Sequence, residues 1–230
     1  MTITNGSMVF GNVCSRREAG GGFGVQGTAV VLVANRSGVY NNTAGFAGGG
    51  MAIGQSSRVV ITNGSFVANN TCIGTGQGRF ANGGAGLVLA EDAVVVLEGG
   101  SRIEGNAAVN TSGAGVLVSG TAHLVVKGGV EFVNNLVSPG FVGADIAVFA
   151  HARLSISPGV LSQGRPLTKC SKSVFLGKLP CEVGEHLAAG ICQCCPAYTY
   201  NFAGNGTACE QCPANALCPG GDVVQPLPGY

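Results

Sequence analysis

The chain has 230 residues, a net charge of +1 and only 10% charged side chains, while 46% of its residues are hydrophobic and 40 are glycine. So even a balance gives no electrostatic basis for holding nucleic acid or an anionic membrane surface. No apolar run approaches the ~18 residues of a membrane-spanning helix, and the apolar content is too high for a glycine-rich disordered tract.

Met1 is followed at once by TITNGS. These residues match the middle of a repeat and not a signal peptide, so the expectation is a piece of a longer secreted or surface protein. A Gly-rich motif follows as GGGFGV at 20–25, and returns as GGGMAI at 48–53, GGAGLVL at 83–89, SGAGVLV at 112–118 and VGADIAV at 142–148. The steps are roughly 28 to 35 residues, a period that marks a solenoid. Aliphatic runs keep the same beat at 30–33, 59–61, 94–97 and 124–126, with an echo at 154–156. So does an apolar residue followed three positions later by Asn: Val9/Asn12, Val39/Asn42, Phe66/Asn69, Ile103/Asn106 and Phe132/Asn135. Each repeat therefore carries three short strand-like stretches separated by turn residues. No stretch has a helical apolar period.

Three strands per turn describe an all-β fold, a right-handed parallel β-helix of about five coils over 1–165. Stacked at about 4.8 Å per coil, they would make a rod about 24 Å long. Val9, Val39, Phe66, Ile103 and Phe132 should form one inward column. Asn12, Asn42, Asn69, Asn106 and Asn135 should form a ladder at the adjacent corner, where Asn tolerates the left-handed conformation. Laying Asn106 on Asn135 also puts Glu98 on Lys127 and Arg102 on Glu131, two opposite-charge pairs in one alignment.

The repeated GGA-apolar and F-x-x-N elements, clearest in Phe66–Asn69 and Phe132–Asn135, resemble the repeats of chlamydial polymorphic outer-membrane proteins and of related β-helix surface proteins of algae and protists. The resemblance covers about 3–150 and implies a surface location.

Near 165 the character changes. Eight of the ten cysteines lie at Cys170, Cys181, Cys192, Cys194, Cys195, Cys209, Cys212 and Cys218. An even, dense set in a loop-rich segment reads as a disulfide framework in an oxidising compartment, standing in for a core the segment cannot build. Spacing does not give the connectivity. A zinc site built from Cys192, Cys194, Cys195, Cys209 and Cys212 is the rival reading, with Cys209–Cys212 at the CxxC spacing of a zinc knuckle. Residues 194–221 resemble the cysteine-rich module of ephrin-type receptors, with Ala197 where that module usually has Gly and with its C-terminal end incomplete. The resemblance implies an extracellular module over 166–230. Cys14 and Cys72 lie two coils apart, as free thiols or as a loop bridge.

Sequons at Asn5, Asn35, Asn41, Asn63, Asn110 and Asn205 are candidate glycosylation sites. Asn69 also lies in one, but as a ladder residue it should be buried and unmodified.

For catalysis the residues are sparse. Polysaccharide-cleaving β-helices need clustered Asp for calcium with a Lys or Arg base, or paired Asp. Here Asp92, Asp145 and Asp222 are the only aspartates, and they are scattered. Stacking places Asp92, Thr121 and His151 in one column, read as polar residues on a solvated turn in preference to an acid/base trio. His123 stacks over Arg153 at an outward position. Asp145 replaces the glycine of other copies (Gly86, Gly115) and reads as a corner residue and not a metal ligand. With no Trp and four Tyr, a sugar-stacking platform is poorly supplied. The reading is a non-catalytic extracellular or cell-surface module for adhesion, wall or matrix structure, or ligand binding. It needs no cofactor and no metal, and its partner would be an extracellular protein or polysaccharide. The alternative is a carbohydrate-active β-helix enzyme.

Overall fold

The computed structural model describes residues 1–15, 18–74, 83–178, 180–188, 191–204 and 206–228. It forms two compact units, Met1–Phe175 and Leu176–Tyr230.

The first unit is a parallel β-solenoid of about six turns with no helix among the described residues. Each of the first five coils carries four short strands where the sequence suggested three. Sheet 1 stacks the aliphatic runs: Thr2–Ile3, Val30–Val33, Arg58–Ile61, Val94–Leu97, His123–Val126 and Arg153–Ile156. Sheet 2 stacks Met8–Phe10, Gly38–Tyr40, Phe66–Ala68, Arg102–Glu104, Glu131–Val133 and Leu161–Ser162. Sheet 3 is the additional one, made of two-residue strands just past the ladder: Val13–Cys14, Thr43–Ala44, Thr71–Cys72, Ala107–Ala108 and Leu136–Val137. Sheet 4 stacks the ends of the Gly-rich motifs: Phe23–Val25, Met51–Ile53, Leu87–Leu89, Val116–Val118 and Ile146–Ala150. Strands so short carry almost no period of their own, which hid sheet 3 in the sequence.

Alternation sets the core. In sheet 1, Val31, Val33, Val59, Ile61, Val95, Leu97, Leu124 and Val126 point inward and are buried, and each pairs with its equivalent one coil away. The inner strands of sheet 4, Met51–Ile53, Leu87–Leu89 and Val116–Val118, are buried on both faces. Met51, Ile53, Leu87 and Leu89 fill the interior, while Ala52, Val88 and Leu117 pack outward against Phe46 and Ala47.

The Gly-rich motif has two separate jobs. Its first glycine turns the chain tightly against sheet 4: Gly48 has φ +63°, and a Cβ there would meet Met51 O at 2.4 Å, a conformation and a clearance that only glycine supplies. Its third glycine makes room for the ladder: a Cβ on Gly50 would meet Gly86 O at 2.5 Å and Asn70 Nδ2 at 3.0 Å.

The solenoid unit runs past the expected end at 165. Arg165–Pro166 turns back antiparallel on Leu161–Ser162, Leu167 is buried, and Ser173 O accepts the Asp145 and Ile146 amides. Val174–Lys178 adds the last strand of sheet 4.

The second unit has three two-stranded antiparallel pairs: Glu185–Ala188 with Ile191–Cys194, Thr199–Tyr200 with Glu210–Gln211, and Ala216–Gly220 with Val223–Pro226. Its disulfides include Cys181–Cys192, Cys195–Cys209 and Cys212–Cys218. Cys170 and Cys194 are disulfide-bonded as well.

Candidate functional site

The polar feature that organises the solenoid is its asparagine column. Asn42, Asn70 and Asn106 are fully buried and Asn135 is nearly so. Each Oδ1 accepts two bonds from the coil before it. Asn12 donates its backbone N–H and Nδ2 to Asn42 Oδ1 at 3.0 and 2.9 Å. Asn42 does the same to Asn70 (3.0 and 3.0 Å), Asn70 to Asn106 (3.0 and 3.0 Å), and Asn106 to Asn135 (3.2 and 3.0 Å). The second Nδ2 proton of each goes back to the apolar residue of the preceding coil: Asn42 to Val9 O, Asn70 to Val39 O, Asn106 to Val67 O and Asn135 to Ile103 O. Every amide is thus satisfied in an interior where an orphan would cost about 1–3 kcal/mol.

Two expectations are corrected in the third coil. The ladder passes through Asn70, not Asn69, and the inward residue is Val67, not Phe66. Strand pairing sets Val67 on Val39 and on Ile103, and puts Phe66 opposite Gly38 and Arg102. Asn69 is exposed with φ +53°, in the turn before the ladder that Asn41 and Asn134 also occupy. The clue in the sequence was the doublet. Asn42 and Asn135 are each the second residue of an Asn–Asn pair, as Asn70 is.

Asp145 ends the column. It stands where earlier coils have Gly86 and Gly115, is 2% exposed, and accepts from Asn135 Nδ2 at 3.0 Å and from Ser162 Oγ at 2.5 Å. The following coil offers no Asn at this corner, so the carboxylate supplies the acceptor that a further rung would have given. Both oxygens are engaged, so Asp145 is a structural terminus.

The outer carboxylates lie elsewhere. Asp92 is exposed and accepts from Thr121 Oγ1, and His151 is exposed on the same turn column with its amide bonded to Gly120 O. His123 Nε2 lies 2.9 Å from Ser155 Oγ, with Arg153 opposite it in the strand register. Lys127 Nζ reaches Glu98 Oε2 at 2.6 Å, and Arg102 lies 3.4 Å from Glu131 and 3.3 Å from Glu104. Aromatic rings that the sequence left scattered gather on the outer face of sheet 2. Phe10 stacks on Tyr40 (5.1 Å, 10°), and Phe66 tilts against Tyr40 at 6.0 Å.

The sequons fall at turns. Asn5, Asn35, Asn41, Asn63 and Asn110 are exposed with positive φ, and Asn205 lies outside the described residues. Asn5, Asn35 and Asn63 stack at one corner, where Asn63 Nδ2 donates to Asn35 Oδ1 at 3.2 Å and Asn35 Nδ2 to Asn5 Oδ1 at 3.4 Å. Turn chemistry therefore explains why sequons repeat here.

Cys14 and Cys72 are free thiols. Both pair with Ala44, from opposite sides of it, and two coil spacings of about 4.8 Å are too far for a bridge. Cys72 packs among Ala85, Ala108 and Ala114 and donates to Phe46 O at 3.1 Å; burial pushes its thiol up to about 11. Cys14 is raised as well, by burial and then by the Glu18 carboxylate. In the second unit, His186, Cys195 and Cys209 lie together, with His186 Nδ1 3.2 Å from Cys209 Sγ. The two sulfurs are bonded to each other and offer no thiolate to a metal.

Compared with known proteins, the chain matches no family model, no curated protein and no solved structure.

Proposed function

We propose that the chain is a non-catalytic extracellular or cell-surface module, serving adhesion, wall or matrix structure, or ligand binding within a receptor-like protein. The observation that carries this reading is the cysteine-rich unit, whose eight cysteines with Cys170 counted are all disulfide-bonded, the state of proteins in oxidising compartments. Among the described residues no helix is long and apolar enough to cross a membrane. The resemblance of the repeats to polymorphic outer-membrane proteins, and of residues 194–221 to the ephrin-receptor module, supports the same location. The use of the solenoid's polar groups agrees with a scaffold: Asp145 and the buried asparagines are spent on coil-to-coil bonds, and an exposed face about 24 Å long is left for contact.

The test is to secrete the chain from a eukaryotic host and pass it over immobilised neutral and acidic polysaccharides and matrix proteins. The expected result is retention on one class with no new reducing ends or unsaturated uronates. Steady product formation, or recovery with free thiols in 176–230, would overturn the proposal.

A further inference from the structure

The two ends of the solenoid are finished differently. At the C-terminal end sheet 2 is closed by the antiparallel return of Arg165–Pro166, sheet 4 gains Val174–Lys178, and Asp145 ends the ladder. At the N-terminal end all four sheets stop on bare parallel strands: Thr2–Ile3, Met8–Phe10, Val13–Cys14 and Phe23–Val25. Side chains that are fully buried one coil later are open there. Val39 and Asn42 are 0% exposed, whereas Val9 is half-buried, Asn12 is exposed, and Phe10, its inner face stacked on Tyr40, is 57% exposed.

We infer that this end is a docking face for one further parallel coil, of the type apolar–aromatic–x–Asn, stacked on Val9–Asn12. The ladder specifies the occupant. Every inner Asn accepts two bonds on Oδ1 from the coil before it and returns one Nδ2 proton to that coil's apolar carbonyl. Asn12 makes only its forward bonds to Asn42. Among the described residues its Oδ1 and its second Nδ2 proton have no partner. An incoming Asn would donate N–H and Nδ2 to Asn12 Oδ1, and Asn12 would donate to the incoming apolar residue's carbonyl. An aromatic residue at the next position would cover the open face of Phe10, as Phe10 covers Tyr40. The interface would continue the five rungs from Asn12 to Asn135 already made within the chain, in the nearest-neighbour manner of solenoids. An unrelated strand could pair with the edge, but it would leave Asn12 unmatched.

The experiment fuses a copy of residues 31–58, which carries Val39, Tyr40 and Asn42 in register, directly ahead of Met1 of the full chain. A fusion with the same residues in scrambled order is the control. Hydrogen exchange and thermal unfolding are then measured. The in-register coil is expected to slow exchange of coil-one amides by at least about tenfold and to raise the melting temperature by several degrees. An Asn42→Ala change in the added copy should remove most of that gain. Protection no greater than with the scrambled copy would overturn the inference. So would sedimentation showing that the unfused chain is already a dimer with coil-one amides protected, because the face would then belong to a second copy.

Discussion

Val95 in the solenoid has Val59 on one side and Leu124 on the other, each in register one coil away, and all three are buried. The hairpin of Glu185–Ala188 and Ile191–Cys194 has no further strand beside it among the described residues. Among the described residues after 178, the buried hydrophobic side chains are four cysteines, Cys181, Cys192, Cys195 and Cys218. One chain thus holds two solutions to the entropy of folding. The first repeats a motif so that every coil buries the next. The second lacks apolar area and constrains the unfolded chain with covalent bridges.

The sharpest way to separate the two is reduction. A phosphine reductant should loosen 176–230, because each native bridge contributes about 2–5 kcal/mol, and should leave the solenoid's far-UV circular dichroism and melting unchanged. Limited proteolysis reads this directly: cuts should appear within 176–230 while 1–175 survives. Simultaneous digestion of both units would show that they do not stabilise themselves separately.

The next test lies within the solenoid. Phe132 is fully buried between Ile103 and Ser162, so Phe132→Ala should cost about 3–5 kcal/mol. Phe66, at the same place in its F-x-x-N element, is only half-buried on the outer face, so Phe66→Ala should cost about 1–2 kcal/mol. Equal losses in urea unfolding would put Phe66 back in the core.

A smaller effect distinguishes the two asparagines of the third and fourth coils. Asn106→Ala removes the acceptor of the Asn70 N–H and Nδ2 and the donor to Val67 O. With several buried groups orphaned at about 1–3 kcal/mol each, a total near 3 kcal/mol is expected after partial relaxation. Asn69→Ala changes an exposed turn residue at φ +53° and should cost about 1 kcal/mol. The reverse order would restore the ladder to Asn69.

Much of this was legible from periodicity. The Gly-rich motif and the aliphatic runs located sheets 4 and 1, and aligning Asn106 with Asn135 put Lys127 beside Glu98, as the 2.6 Å contact has it. Three things were hidden. Sheet 3 has strands of two residues, too short for alternation to register. The third coil offers Phe66–Asn69 and Val67–Asn70 at the same spacing, and only pairing with Val39 decides between them. The part played by Asp145 depends on the next coil lacking an Asn, a fact of three-dimensional stacking that local sequence does not carry. In the second unit spacing revealed the framework but not its pairs, because connectivity depends on which loops meet.

The last difference between the units is in their sulfur. The second unit's cysteines are covalently closed and do not titrate, whereas Cys72 is a thiol buried among alanines and raised from 9.0 to about 11. Its thiol form is favoured in the folded state, so the solenoid holds a proton that the unfolded chain has already released between those values. A raised folded value contributes stability that is complete below about pH 9 and is lost as pH climbs through about 11. At about 1.4 kcal/mol per pH unit, the loss over that window is about 2–3 kcal/mol. Other groups titrate there too, so the measurement is a difference: urea unfolding of the native chain and of Cys72→Ala at pH 8, 9, 10 and 11. Alanine fits the site, since Ala44 and Ala108 occupy the same column. The native chain should lose stability faster than the variant across the window, and reduction of the second unit should not change that gap. Parallel curves would mean that Cys72 ionises in the folded chain as readily as in the unfolded one, and that the alanine cluster does not exclude water.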